Sequence, residues 1–193
     1  MMRSRSITVE KPSAAVPKAE KRQEAEKREF SVCGFDGLGF ENAEKAAFIL
    51  DGNGVMRIEC GGKLCSTDDT EKQLKFLSSA CEKYGFQVKN AFKLCFANNT
   101  ELRNFKADAD ILGYLLNASS AEYTIEKMCA EYGAPYYGEL GENADIASLY
   151  GLCSALYDEV KAAGMEKLFN KIDQPLTEVL ASMEYYGVRV DSE

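Results

Sequence analysis

In 193 residues, 46% of them apolar and 10% aromatic, there is enough hydrophobic side chain for one domain with a real core plus an appendage. The chain contains no histidine, which excludes Ser-His and Cys-His hydrolases and any zinc site that needs an imidazole. The net charge of -8 is unevenly spread, +3 over residues 1 to 29 and -11 over residues 30 to 193, so the body of the chain is a poor electrostatic match for a phosphate backbone.

The N-terminal 28 residues ("MMRSRSITVEKPSAAVPKAEKRQEAEKR") hold Pro12, Pro17, mixed charges and almost no large apolar groups, the composition of a disordered linker. No apolar block follows their basic residues as a secretory signal requires, and no later run approaches the roughly 20 residues needed to cross a bilayer. The expected setting is the cytoplasm, with no membrane partner. Seven cysteines, an odd number and never spaced CxxC, read there as reduced core thiols.

Order is expected to begin at "EFSVCGF", Glu29 to Phe35, as a first strand. "AAFILDGNGVMRIEC" then gives two apolar runs around a Gly-flanked turn at Asp51 to Gly54, a hairpin by its turn chemistry. In "STDDTEKQLKFLSSACEKYG", Leu74, Leu77, Ala80 and Cys81 fall at helical spacing, with Asp68 or Asp69 as N-cap and Gly85 as stop. A short strand "FQVKN" follows, then helical pieces "AFKLCFAN", "ADILGYLLNA" and "TIEKMCAEYG". A tyrosine-rich loop, "APYYGELGEN", precedes a helix from about Ala144 to Ala163. Strands first and mostly helices after predict an α/β (mixed α+β) fold, a small mixed sheet flanked by helices.

At the end of the chain, Ile172, Leu176, Val179, Leu180 and Met183 form one apolar stripe at helical spacing. Asp173 and Pro175 suit its first turn, Gly187 suits its stop, and "VRVD" alternates as a strand does. The expectation is that the partners of this helix and strand are not all present in these residues.

The pattern "IDQPLTEVLASMEYYGVRVD" resembles the junction in bacterial DNA polymerase I, family A, where the 3′-5′ exonuclease-like domain ends and the polymerase domain begins. "DADILGYLLNAS", Asp108 to Ser119, resembles a helix in the middle of that exonuclease fold, and "YTIEKMCAEYG" falls where the next helix is expected. The resemblance implies a ribonuclease H-like 3′-5′ exonuclease fold. Its domains would be a linker at 1–28, an exonuclease-like domain at 29–171 and the truncated start of a polymerase domain at 172–193.

Editing exonucleases of this kind hold two metal ions about 4 Å apart with converging carboxylates. The family supplies Asp-x-Glu on the first strand, Asn-x-x-x-Asp in the middle and Tyr-x-x-x-Asp on a late helix. In "VCGFDGL", Asp36 matches the Asp and Leu38 stands for the Glu; in "VKNAFKL", Asn90 matches the Asn and Leu94 stands for the Asp. No tyrosine has an Asp four residues on: Gly141 follows Tyr137 at that spacing, and Asp145 lacks the tyrosine. The literal "DTE" at Asp69 to Glu71 opens an amphipathic helix and reads as a cap. Asp36 reads as a turn residue, Asp108 and Asp110 as helix caps, and the tyrosines of "APYYGEL" as local packing.

The expectation is therefore no catalytic, cofactor or metal residue in this segment. Mg²⁺ would belong to the parent polymerase, and DNA would be reached through that covalently linked polymerase domain, in replication and repair. The alternative is a divergent exonuclease in which Asp36, Asp108 and Asp145 form an unorthodox site. A third reading is an unrelated acidic interaction domain.

Overall fold

The computed structural model describes residues 28–187. The linker assigned to 1–28 lies almost wholly outside them, as does the "VRVD" strand. Six strands form one mixed sheet: β1 (Ser31–Val32), β2 (Lys45–Leu50), β3 (Met56–Cys60), β4 (Lys63–Thr67), β5 (Glu82–Gly85) and β6 (Phe105–Asp108), in the order β1-β4-β3-β2-β5-β6. β2, β3 and β4 run antiparallel; β5 and β6 run parallel to β2, and β1 parallel to β4.

The period-two alternation of β2 sends Ala46, Phe48 and Leu50 to one face and Ala47 to the other. On the first face they meet α1 (Thr70–Leu77) and α2 (Lys89–Ala97) through Phe76, Leu77, Ala91 and Phe92. On the second face lie α3 (Ala109–Leu116), α4 (Ile125–Tyr132) and α5 (Ala144–Ala162), and α5 buries Ile146, Leu149, Leu152 and Leu156 against the sheet. Fully burying each such side chain contributes about 1.5–3 kcal/mol. The predicted hairpin is present: Asp51 Oδ1 accepts from the N–H of Asn53 (2.9 Å) and Val55 (3.0 Å), closing the turn between β2 and β3. The predicted α4 is capped at Thr124 and stopped by left-handed Gly133 (φ 67°).

Three segments differ from the sequence reading. The first strand is not Glu29 to Phe35 but two residues at the sheet edge; after Gly34 a 3₁₀ turn (Phe35–Gly37) swings Phe35 into the core beside Phe40. The helix after the hairpin does not run on to Gly85. It ends at Leu77, where the Ser78 hydroxyl donates to Leu74 O (2.8 Å) and the Ser79 hydroxyl to Phe76 O (2.6 Å), and residues 82–85 become β5. "FQVKN" is no strand: Gln87 is left-handed (φ 54°) and α2 starts at Lys89. β4 and β6 have no counterpart in the sequence reading.

The cause of the β5 reassignment is Lys83. Its side chain is fully buried, over the Phe76 ring, and Nζ donates to the carbonyls of Ser79 (2.7 Å), Cys81 (3.0 Å) and Arg103 (2.9 Å). Burial holds its pKa below the ordinary lysine value, while the neighbouring Cys81 thiol pulls it back up. One ammonium thereby ties the end of α1, β5 and the approach to β6.

The C-terminal segment is a short α6 (Glu166–Leu168), a π-helical turn (Phe169–Asp173) and α7 (Gln174–Tyr186). α7 docks on α2 through a narrow face. Ala181 and Thr177 are buried, Glu184 pairs with Lys89 (2.7 Å) and Lys93 (2.5 Å), and Tyr185 leans on Phe96. The apolar stripe read from the sequence points outward: Ile172 and Met183 are each 56% exposed, and Leu176, Val179 and Leu180 are exposed beside them.

Lys83→Met is expected to lower stability by about 2–4 kcal/mol, since it removes the donor from one buried and two part-buried carbonyls. Urea unfolding of the two proteins measures this, and an unchanged midpoint would show that the ammonium does not hold these segments together.

Candidate functional site

Ligands of sheets with parallel strands gather outside the carboxyl ends of those strands. Here β2, β5 and β6 are parallel neighbours and end in Asp51, Phe86-Gln87 and Asp108. Beside the β5 and β6 ends lies a groove of about 470 Å³, lined among others by Phe86, Gln87, Asp110, Glu122, Tyr123 and Asp145.

Asp108 is the most constrained carboxylate among these. It is buried at the junction of β6 and α3, where Oδ1 accepts from the N–H of Gln87 (3.0 Å) and Asp110 (3.0 Å), and Oδ2 from Val88 N–H (3.1 Å). Burial pushes its pKa up to about 7; the backbone N–H groups of Val88, Asp110 and Gln87 act in the opposite direction. The sequence reading as a cap of α3 holds, and two further bonds make it a bolt between two loops. Asp110 is partly buried, and burial raises its pKa while Lys89 lowers it.

Two other carboxylates near the strand ends are occupied too. Asp51 is drawn into its own hairpin and reaches Arg57 at 3.4 Å. Asp145, at the start of α5, accepts from the Tyr136 hydroxyl at 3.2 Å. Asp36 sits exposed in the 3₁₀ turn after β1, on the side of the sheet that packs α1, whereas Asp145 belongs to α5 on the other side. Asp36, Asp108 and Asp145 are thus not brought together.

Asp36 follows β1, an edge strand, whereas the strand that neighbours β5 is β2, which is followed by Asp51-Gly52-Asn53. Asn90 and Leu94 lie within α2, and the Asn90 amide donates to Leu50 O (3.4 Å). Asp69 caps α1, accepting from the N–H of Glu71 and Lys72. The loop tyrosines pack locally: Tyr137 meets Phe30 edge-on at 4.8 Å.

Among the described residues, no three Asp, Glu or Cys side chains gather where they could hold a metal ion. The donors of Asp51, Asp108 and Asp145 do not fit a two-metal centre, because their oxygens serve backbone N–H groups, an arginine and a tyrosine. No helix among the described residues is long and apolar enough to cross a membrane.

No family profile and no curated protein matches the sequence. Solved structures do share its fold. One is the POL domain of Pol1 from M. smegmatis in complex with DNA primer-template and dNTP, at TM-score 0.66 and 16% identity over 79% of this chain and 30% of that chain. Another is Brucella melitensis NrnC with bound Mg²⁺, at TM-score 0.60 and 15% identity over 85% of this chain and 98% of that one. The chain thus spans about a third of the polymerase's length and nearly all of NrnC's. At these identities the likeness is one of fold.

For Asp108 the folded pKa lies above the unfolded value of about 3.9, so its contribution to stability is complete below that value and is lost as pH rises through about 7. Asp108→Asn, which lacks one acceptor, is expected to be less stable by about 1–3 kcal/mol at pH 5, with the gap narrowing toward pH 8. Urea midpoints across that range test this; a gap that widens with pH would mean the carboxylate is held ionised.

Proposed function

We propose that this chain is a degenerate 3′-5′ exonuclease domain of ribonuclease H-like fold, catalytically silent, whose role is to support a family A DNA polymerase domain in replication and repair. In this reading residues 29–171 are the exonuclease-like domain and 172–193 lead into the polymerase domain, with DNA reached through the latter. The observation that carries it is Asp108. The carboxylate at the strand ends is spent on three backbone N–H groups of the protein itself.

The shared folds of a DNA-bound polymerase and of NrnC support the superfamily, and the -11 charge of residues 30 to 193 argues against tight DNA contact by this domain alone. The outward stripe of α7 supports a covering partner. Soluble domains seldom leave a run of Ile, Leu, Val and Met exposed on one helix without one.

The second reading is a divergent metal-dependent exonuclease. It is favoured by one feature, the three carboxylates of Asp110, Glu122 and Asp145 that line a single groove.

With Mg²⁺ or Mn²⁺ and end-labelled single-stranded DNA, the purified chain is expected to give no metal-dependent shortening. Shortening that Asp145→Asn or Asp110→Asn abolishes would establish the exonuclease instead.

A further inference from the structure

All seven cysteines are free, and six of them are buried. Two stand apart by position. β1 pairs with β4 in parallel, Ser31 opposite Lys63 and Val32 opposite Leu64, and Cys33 N–H donates to Leu64 O at 2.9 Å. The register therefore sets Cys33 opposite Cys65. Both side chains point to the same face of the sheet: Cys65 belongs to the core cluster under α1, and Cys33 packs against that cluster. Neighbouring strands lie about 4.8 Å apart, within the Cα separation of roughly 4.4–6.8 Å that a disulfide spans.

The two thiols differ in access. Cys65 is 6% exposed, and burial, then the neighbouring Cys33, raise its pKa. Cys33 is partly exposed, and position 37 above it is a glycine whose absent Cβ would lie 3.5 Å from Cys33 Cβ and 3.8 Å from Sγ. A partly exposed cysteine thus stands beside a buried one, the order of access expected of an attacking and a resolving thiol. Cys60, on the same face, is buried, its thiol is pushed up to about 11, and its Sγ faces Lys45 O at 3.9 Å.

We propose that Cys33 and Cys65 are a redox-active dithiol that closes reversibly to a disulfide and staples β1 to β4. The oxidant is a low-molecular-weight disulfide. The Cys33 thiolate attacks one of its sulfurs, forming a mixed disulfide and releasing one small thiolate. The Cys65 thiolate then attacks the Cys33 sulfur and expels the second, which takes up a proton. Two electrons pass from the cysteine pair to the small disulfide, which leaves as two thiols. The product fixes a two-residue edge strand, beside which the N–H groups of Ser31 and Cys33 donate to Gly62 O and Leu64 O.

The test is to equilibrate the folded full chain with oxidised and reduced glutathione, quench with acid, alkylate and map the peptides. The expected result is loss of two hydrogens from the intact mass, one linked peptide joining Cys33 to Cys65, and a melting temperature higher by several degrees. Cys65→Ser should accumulate the mixed disulfide at Cys33, and Cys33→Ser should leave Cys65 reduced. Linkage of any other pair, a persistent mixed disulfide on the unsubstituted chain, or seven thiols still free at the oxidised end of the series would overturn the proposal.

Discussion

The geometry of the strand-end region rests on one buried carboxylate. Asp108 closes the turn from β6 into α3 and, through Gln87 and Val88, the turn from β5 into α2, so two βα junctions share a single side chain. Gln87 holds a left-handed conformation that a non-glycine residue adopts at a cost, and its bond to Asp108 offsets that strain. Gly85 belongs to the same arrangement: a Cβ there would lie 2.2 Å from Val88 Cγ1, so the chain can turn this tightly only without one. At the place where a sheet of this kind commonly presents chemistry, Asp108 is instead committed to internal hydrogen bonds.

A second constraint acts in the C-terminal segment. α7 is held by a small face, Thr177, Ala181 and Glu184, against α2, with its larger apolar side chains outside. Beside it, Asp173 Oδ2 and both polar atoms of the Gln174 side chain are buried without partners at the π-helical turn. The helix is fixed by charge and small residues and spends little of its hydrophobic surface on this domain. Surface of that composition is what a packed neighbour covers, and this links the helix to the supporting role proposed for the domain.

Much of this was legible wherever the determining interactions are local. The Asp51 hairpin, the Thr124 and Gly133 ends of α4, the Asp69 cap and the long α5 each follow from residues within a few positions. β5 was misread because Leu74, Leu77, Ala80 and Cys81 continue a helical period, whereas the Lys83 bond to Arg103 O, 20 residues away, decides the matter. β6 has only four residues, and its Asp108 shows a cap signal but not its partners in another loop. The setting of Asp36 depends on pairing in a related way. Asp36 follows an apolar stretch as Asp51 does, and only strand pairing shows that the first strand is peripheral and the second lies beside β5.

The central claim is that the carboxylates at the strand ends are committed to the fold and do not converge on metal. Titrating Mn²⁺ into isotopically labelled full chain, with backbone amide relaxation as the readout, addresses this most directly. The account predicts only weak, scattered broadening over the acidic surface. Selective broadening at low metal that centres on Asp51, Gln87, Asp110 and Asp145 would contradict it.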